Sequence, residues 1–241
     1  VIHGGFIAYE GPSLLDGQPI VAIVTTDSVN SKTGHMAQAW ILRADLDVQQ
    51  AILSGADASI CGHCPHRSGT NVGRSCYVVT WLGPLNVYRA FAAGKYDAPG
   101  LDRAARRLVG KAIRLAAYGD PAAVPTAVWR QLLDYAAGWT GYTHQWRTCD
   151  QRLRAYCMAS VESPSEALEA MALGWRSFRV RRLDEPVGDE EIVCPASAEA
   201  GHRLTCETCK LCVGTARPGA RNVAIVVHGQ RARWFDDRET A

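Results

Sequence analysis

Short runs rich in β-branched and aromatic residues alternate with helix-forming stretches along most of the chain, and that alternation leaves few folds open. Parallel strands need a long crossover between them, usually a helix, so the pattern predicts βα units around a mostly parallel sheet. The expected strands are 20–25, 38–43, 77–81, 112–118, 140–143, 156–161, 176–180, 191–194 and 223–228, and the expected helices 48–54, 85–93, 102–109, 126–137 and 165–173. Pro125 before Thr126 opens a helix that Gly138 closes, and Ser163-Pro164-Ser165-Glu166 places a hydroxyl cap and a proline ahead of a run ending at Gly174. With 241 residues, 47% of them hydrophobic, the chain is long enough for one sizeable core. The expected fold class is α/β, a partial or distorted (β/α) TIM-like barrel in a single domain over 1–241. Stretches 93–100 and 184–191 read as surface loops, and the Arg- and Asp-rich tail after Gly229 as a solvated end.

Charge excludes some functions. Twenty-six basic and 24 acidic side chains, a net charge of +2, are spread without blocks, which gives no electrostatic argument for nucleic acid or an anionic membrane. No apolar run is long enough to span a bilayer, and Val1-Ile2-His3-Gly4-Gly5 lacks the features of a secretory signal, so the expectation is a soluble, cytoplasmic protein. A start at Val1 suggests a trimmed N-terminus. In a reducing compartment nine cysteines, an odd number with several at short spacing, read as ligands before disulfides.

The cysteines fall into two sets. Cys194 precedes Cys206-Glu207-Thr208-Cys209-Lys210-Leu211-Cys212, where successive two-residue gaps let thiolates converge on an iron–sulfur cluster; a closed four-thiolate zinc site is the competing reading. The second set is the Cys-rich loop 61–76, with Cys61-Gly62-His63-Cys64-Pro65-His66 and then Cys76, after a stretch holding Arg67, Gly69, Gly73 and Arg74. Three thiolates leave one position on a metal or cluster open to substrate, water, His63 or His66. The alternative is one zinc on Cys61, Cys64, Cys206 and Cys209 that staples the chain's two regions together. Cys149 and Cys157 read as core residues.

Polar and metal-binding residues recur where the expected strands end, the rim on which barrel chemistry gathers. Asp120 follows 112–118, His144 follows 140–143, Ser160 and Glu162 lie at the end of 156–161, Cys194 closes 191–194 and His228 ends the last strand. Asp120 and His144 are the candidate catalytic residues, as polar contacts to cofactor or substrate. The bland alternatives are that Asp120 caps the next helix and His144 satisfies a backbone carbonyl.

Cys76-Tyr77, Tyr118-Gly119-Asp120, Tyr142-Thr143-His144 and the closing Cys194-Pro195 with Cys206, Cys209 and Cys212 carry a resemblance. Over about Gly55 to His228 the chain resembles a group of bacteriophage proteins, the gene product 88 family and its phage relatives, which are similar to diverged members of the radical S-adenosylmethionine superfamily. The resemblance implies a partial β/α barrel with a 4Fe-4S cluster on Cys61, Cys64 and Cys76. The open iron of that cluster would bind the amino and carboxylate groups of S-adenosylmethionine. It also implies an auxiliary cluster on Cys194, Cys206, Cys209 and Cys212. Here two and then eleven residues separate the first three cysteines, where the superfamily's usual gaps are three and then two.

Other chemistries have little support. No Gly-x-Ser-x-Gly elbow or dinucleotide fingerprint occurs, and Gly4-Gly5 and the segment from Gly69 to Gly73 lack the strand-loop-helix context of a phosphate cradle. Trp129, Trp139, Trp146 and Trp175 read as core, while Arg147, Arg179, Arg181 and Arg182 are candidate phosphate contacts or, more ordinarily, a solvated face. The expectation is an iron–sulfur, radical S-adenosylmethionine-like enzyme with a small-molecule or nucleic-acid substrate, a reductant as partner and no membrane. The competing class is a non-catalytic, zinc-stabilised binding protein.

Overall fold

A computed structural model of the chain describes residues 4–28, 30–67 and 73–235. In chain order these form β1 (Gly5–Pro12), β2 (Pro19–Thr25), β3 (Ala37–Arg43), α1 (Val48–Ser54), α2 (Ala58–Cys61), α3 (Gly83–Ala92), α4 (Leu101–Arg106), β4 (Ala112–Tyr118), α5 (Thr126–Leu133), β5 (Gly138–Thr140) and β6 (Tyr142–Thr143). They continue as β7 (Met158–Val161), α6 (Pro164–Ala172), β8 (Ser177–Arg181), β9 (Glu191–Val193), α7 (Cys206–Cys209) and β10 (Asn222–Val226). No helix among the described residues is long and apolar enough to cross a membrane.

The strands make two sheets, mixed α/β and mostly parallel. One has the order β1-β2-β3-β4-β5, antiparallel across its first three strands and parallel from β3 to β5; the other, β6-β7-β8-β10-β9, is parallel throughout. The sheets are not closed, so a complete barrel is not formed. Only Gly141 divides β5 from β6 where one strand was expected. Its N–H donates to Cys212 O at 2.9 Å and its carbonyl accepts from Met158 N at 2.9 Å. A Cβ at Gly141 would lie 2.7 Å from Cys157 Sγ, so this close approach requires glycine.

Burial explains the strand pattern. Ile20 to Thr25 of β2 are all buried, the continuous apolar run of a strand covered on both faces, whereas β1 alternates as a half-buried edge. The first core joins these strands to Ile113 and Leu115 of β4 and to Trp129, Leu132 and Leu133 of α5. Helix ends follow local chemistry: Asp47 accepts from the N–H groups of Gln49 and Gln50 at the start of α1, and Ser163 caps α6 through Glu166 N.

Several expectations need correction. Residues 77–81 are not a strand, because their backbone groups are spent on turns leading into α3, with Leu82 N on Val79 O and Leu85 N on Thr80 O. β1, α2 and α7 were not expected, and α5 stops at Leu133, well before Gly138. The tail is not wholly solvated: Phe235 is buried and stacks on His66, with ring centroids 5.8 Å apart. Gly69 lies outside the described residues. Arg179 and Arg181 are not solvated either; Arg179 forms a bidentate pair with Glu191 (2.8 and 2.7 Å) and Arg181 pairs with Glu199. Trp129, Trp146 and Trp175 are buried, as core residues should be.

Candidate metal centre

Alternate residues of the parallel strands point into one cavity: Arg114, Ala116 and Tyr118 of β4, Tyr142 of β6 and His144 beyond it, Phe178 and Val180 of β8. The two-residue period is the strand's own, so one face of the strands makes the wall while Ile113 and Leu115 go to the core. All seven cysteines of the two sets line this cavity, and Cys149 and Cys157 do not. Cys157 is fully buried, and burial pushes the Cys149 thiol up to about 12.

The first set lies in the crossover between β3 and β4. Cys61 ends α2, and Gly62 follows at φ +55 and ψ −132, a conformation that only glycine adopts readily. A Cβ there would meet Gln145 at 2.4 Å, and Gln145 itself receives His63 N–H (3.2 Å) and donates to Cys61 O (3.1 Å). Asp57, buried, binds Arg67 at 2.6 Å and Arg74 at 3.1 Å, tying together the two limbs of the loop, and Cys76 N donates to His66 O at 3.1 Å. Burial raises the Cys61 thiol well above its ordinary range, Cys64, Asp57 and Cys76 add to this, and Arg74 opposes it. Burial likewise raises Cys76, against Arg74 and the Val78 N–H.

The second set is assembled from three places. Cys194 follows β9 with its N–H on Ala224 O (2.8 Å), α7 docks through Cys206 N on Lys32 O (2.9 Å), and Cys212 O holds Gly141 N–H (2.9 Å) at the break between β5 and β6. Arg176 Nη1 fixes the following turn through Leu211 O and Gly214 O, both at 2.8 Å. Burial drives Cys212 up to about 12 against the Tyr142 hydroxyl, and Cys194, Cys206 and Cys209 raise it further. Lys32 is held below the usual lysine range by burial, offset by Cys194, Cys206 and Cys212.

Each set of thiols thus perturbs chiefly its own members. Four thiolates on one tetrahedral zinc would lie about 3.8 Å apart, given zinc–sulfur bonds of about 2.3 Å. Among the described residues no three cysteine sulfurs lie mutually within 4.8 Å. A four-iron cluster places its cysteines on different irons and holds the sulfurs further apart. The donor chemistry fits such a group, because backbone N–H groups of Val78, Ala196 and Leu211 favour the thiolate forms of Cys76, Cys194 and Cys209 against burial.

The rim residues take distinct parts. Asp120 is 4% exposed and both its oxygens are engaged, Oδ1 by Ala122 N (2.9 Å) and Oδ2 by His144 N (2.8 Å). It therefore caps a short 3-10 turn and positions His144; burial lifts its carboxyl above the usual range despite those bonds. His144 does not bond a backbone carbonyl in the described contacts; its Nε2 lies 3.0 Å from Glu162 Oε1 and 3.9 Å from Cys64 Sγ. Burial lowers its affinity for a proton, but Cys64 and Glu162 outweigh that and raise it well above the ordinary histidine value. His66 reaches the same Glu162 oxygen at 3.2 Å.

Lys32 and Arg114 were not expected at the site, whereas Glu162 was named as a rim residue at a strand end and Tyr77 and Tyr142 as neighbours of Cys76 and His144. One signal could have found Arg114, a lone charge within the apolar run Ala112 to Tyr118. Arg114 donates to the Tyr77 hydroxyl and lies over the Tyr77 and Tyr142 rings, 5.8 Å from each centroid. No protein-family model, curated protein or solved structure matches the chain.

Proposed function

We propose that the chain is an iron–sulfur enzyme of the radical S-adenosylmethionine type on an open, partial barrel. Cys61, Cys64 and Cys76 hold the reactive four-iron cluster, and Cys194, Cys206, Cys209 and Cys212 hold an auxiliary one. The observation that carries this reading is that both cysteine sets face a single cavity walled by parallel strands. The position of the first set, after the first strand to enter a parallel pairing, supports it too.

When bound, such a cluster supplies an iron with one position not taken by protein, for S-adenosylmethionine, and an electron from an external reductant. The chain's own residues do the remaining work. Arg74 and Lys32 place positive charge beside the thiols of the two sets and favour their deprotonated, ligating form. Tyr77, Arg114 and Tyr142 build a cationic and aromatic wall, while Phe178, Val180, Val223 and Ile225 exclude water from the space where a substrate would lie. Asp120 holds the His144 backbone, and His144 and Glu162 can hold or pass a proton at the cavity edge.

Anaerobically purified protein tests this through iron and sulfide content, absorption spectra and product analysis. The expected result is about eight iron and eight sulfide per chain for two four-iron clusters, falling by about half in C61S/C64S, with 5′-deoxyadenosine formed from S-adenosylmethionine under reduction. Stoichiometric zinc without sulfide would refute the reading and support a zinc-stabilised binding protein. Clusters without cleavage of S-adenosylmethionine would retain the iron–sulfur protein and remove the radical chemistry.

A further inference from the structure

We propose that His66, His144 and Glu162 form a separate mononuclear site for a divalent first-row metal ion, bound through two imidazole nitrogens and one carboxylate oxygen. The three residues come from different parts of the chain, the loop after α2 and the C-terminal ends of β6 and β7. Their ligand atoms lie mutually within 4.8 Å, the one such group of three or more His, Cys, Asp or Glu side chains among the described residues. Both Nε2 atoms approach the same carboxylate oxygen, at 3.2 Å from His66 and 3.0 Å from His144. Ligands about 2.0–2.1 Å from a tetrahedral ion stand about 3.3 Å from one another, so the groups need little movement to accept one.

The surroundings hold each ligand in place, as outer contacts do at metal sites. His66 Nδ1 lies 2.8 Å from Ser75 Oγ, which suits a ring that presents Nε2 to a metal and donates from Nδ1. Its face is stacked on Phe235. Asp120 fixes the His144 backbone, and Glu162 N–H donates to Glu166 Oε2 at 2.9 Å. The side chains retain 12%, 18% and 20% exposure, so the group is shielded yet reachable. His144 and Glu162 also line a second pocket, beside Arg147 and Glu166, which gives an ion a way in from outside the main cavity.

Two histidines and one carboxylate suit ferrous iron, zinc or manganese, and of these manganese is the one the thiolate sets favour least. The proposal does not rest on the iron–sulfur reading, because none of its ligands is a cysteine, and a bound ion takes the place of the proton that His144 and Glu162 otherwise hold between them. The metal-free alternative is a plain ion-pair cluster in which both rings carry a proton on Nε2. That alternative predicts no saturable metal binding at the three residues.

Manganese(II) is the probe, since it favours N/O ligands over thiolates and its free form is counted by electron paramagnetic resonance. In the full chain we expect about one bound ion, displaced by zinc, with at least about tenfold weaker binding in H66Q and E162Q and unchanged binding in C206S/C209S. S75A removes only the outer contact to His66 and should weaken binding by about tenfold in a chain whose circular dichroism matches the parent. Absence of bound manganese in the parent would overturn the proposal, as would H66Q, E162Q and S75A variants that all bind within about twofold of the parent. Iron and sulfide counted on the same samples report the cysteine sets, so the two proposals fail separately.

Discussion

Replacing Asp120 by alanine isolates the contact that joins the ends of β4 and β6. The substitution leaves the N–H groups of Ala122 and His144, now 2.9 and 2.8 Å from the carboxylate, without their acceptor in a buried place. Each stranded donor costs about 1–3 kcal/mol, or about 2–6 kcal/mol for the pair. Removing a carboxylate whose burial disfavours its charge returns part of that, since its affinity for protons is raised. A net loss of about 3 kcal/mol follows, which for a chain of this length is a fall in Tm of about 6–12 °C. D120N keeps one oxygen but turns an amide toward the other N–H, so it should lose about half as much. Thermal and urea unfolding of the parent and both variants at neutral pH measure this. A D120A protein within about 2 °C of the parent would refute the assignment of Asp120 as the tie that positions His144.

Three further outcomes can be checked alongside it. The buried Glu191–Arg179 pair should make E191Q less stable by about 1.5–3 kcal/mol at neutral pH, because the Arg179 guanidinium loses its bidentate carboxylate and keeps Glu185 at 3.5 Å and the Pro186 carbonyl at 2.8 Å. Burial raises the Glu191 carboxyl, but Arg179 and the Gly188 N–H outweigh it and hold it below the usual range. That stability is therefore present above about pH 4.3 and is lost as pH falls through the folded-state value, so urea midpoints of parent and E191Q should converge only in acid. G62A should destabilise the chain by about 1–3 kcal/mol and loosen the Cys61 loop, read as faster amide exchange at His63 and Cys64; unchanged exchange would count against Gln145 as the clamp. C149A and C157A should leave iron per chain unchanged, and a loss of iron in either would return that cysteine to the ligand set.

Much of the scaffold was legible from residue type and period. Strand 112–118 and helix α1 form at the expected limits, and β2, β3, α6 and β10 differ from expectation by a residue or two, because runs such as Ile20 to Thr25 and caps such as Ser163 act locally. The strand-end rule placed Asp120, His144, Cys194 and His228 on a common cavity. It gave no distinction between the strand-end carboxylates Asp120, which accepts two backbone N–H groups, and Glu162, which faces two imidazoles, since both are acidic residues just past a strand.

Composition and spacing by themselves determined that this chain alternates strand and helix and that its cysteines form two sets, because propensity, capping and local spacing are properties of neighbours in sequence. Tertiary structure alone decided that the two sets share a cavity, that the strand through Gly141 breaks to receive Cys212, and that His66 meets His144 over Glu162. Those contacts join residues up to 96 positions apart in the case of His66 and Glu162. Their geometry is set by the packing of sheets and loops, which no local pattern encodes.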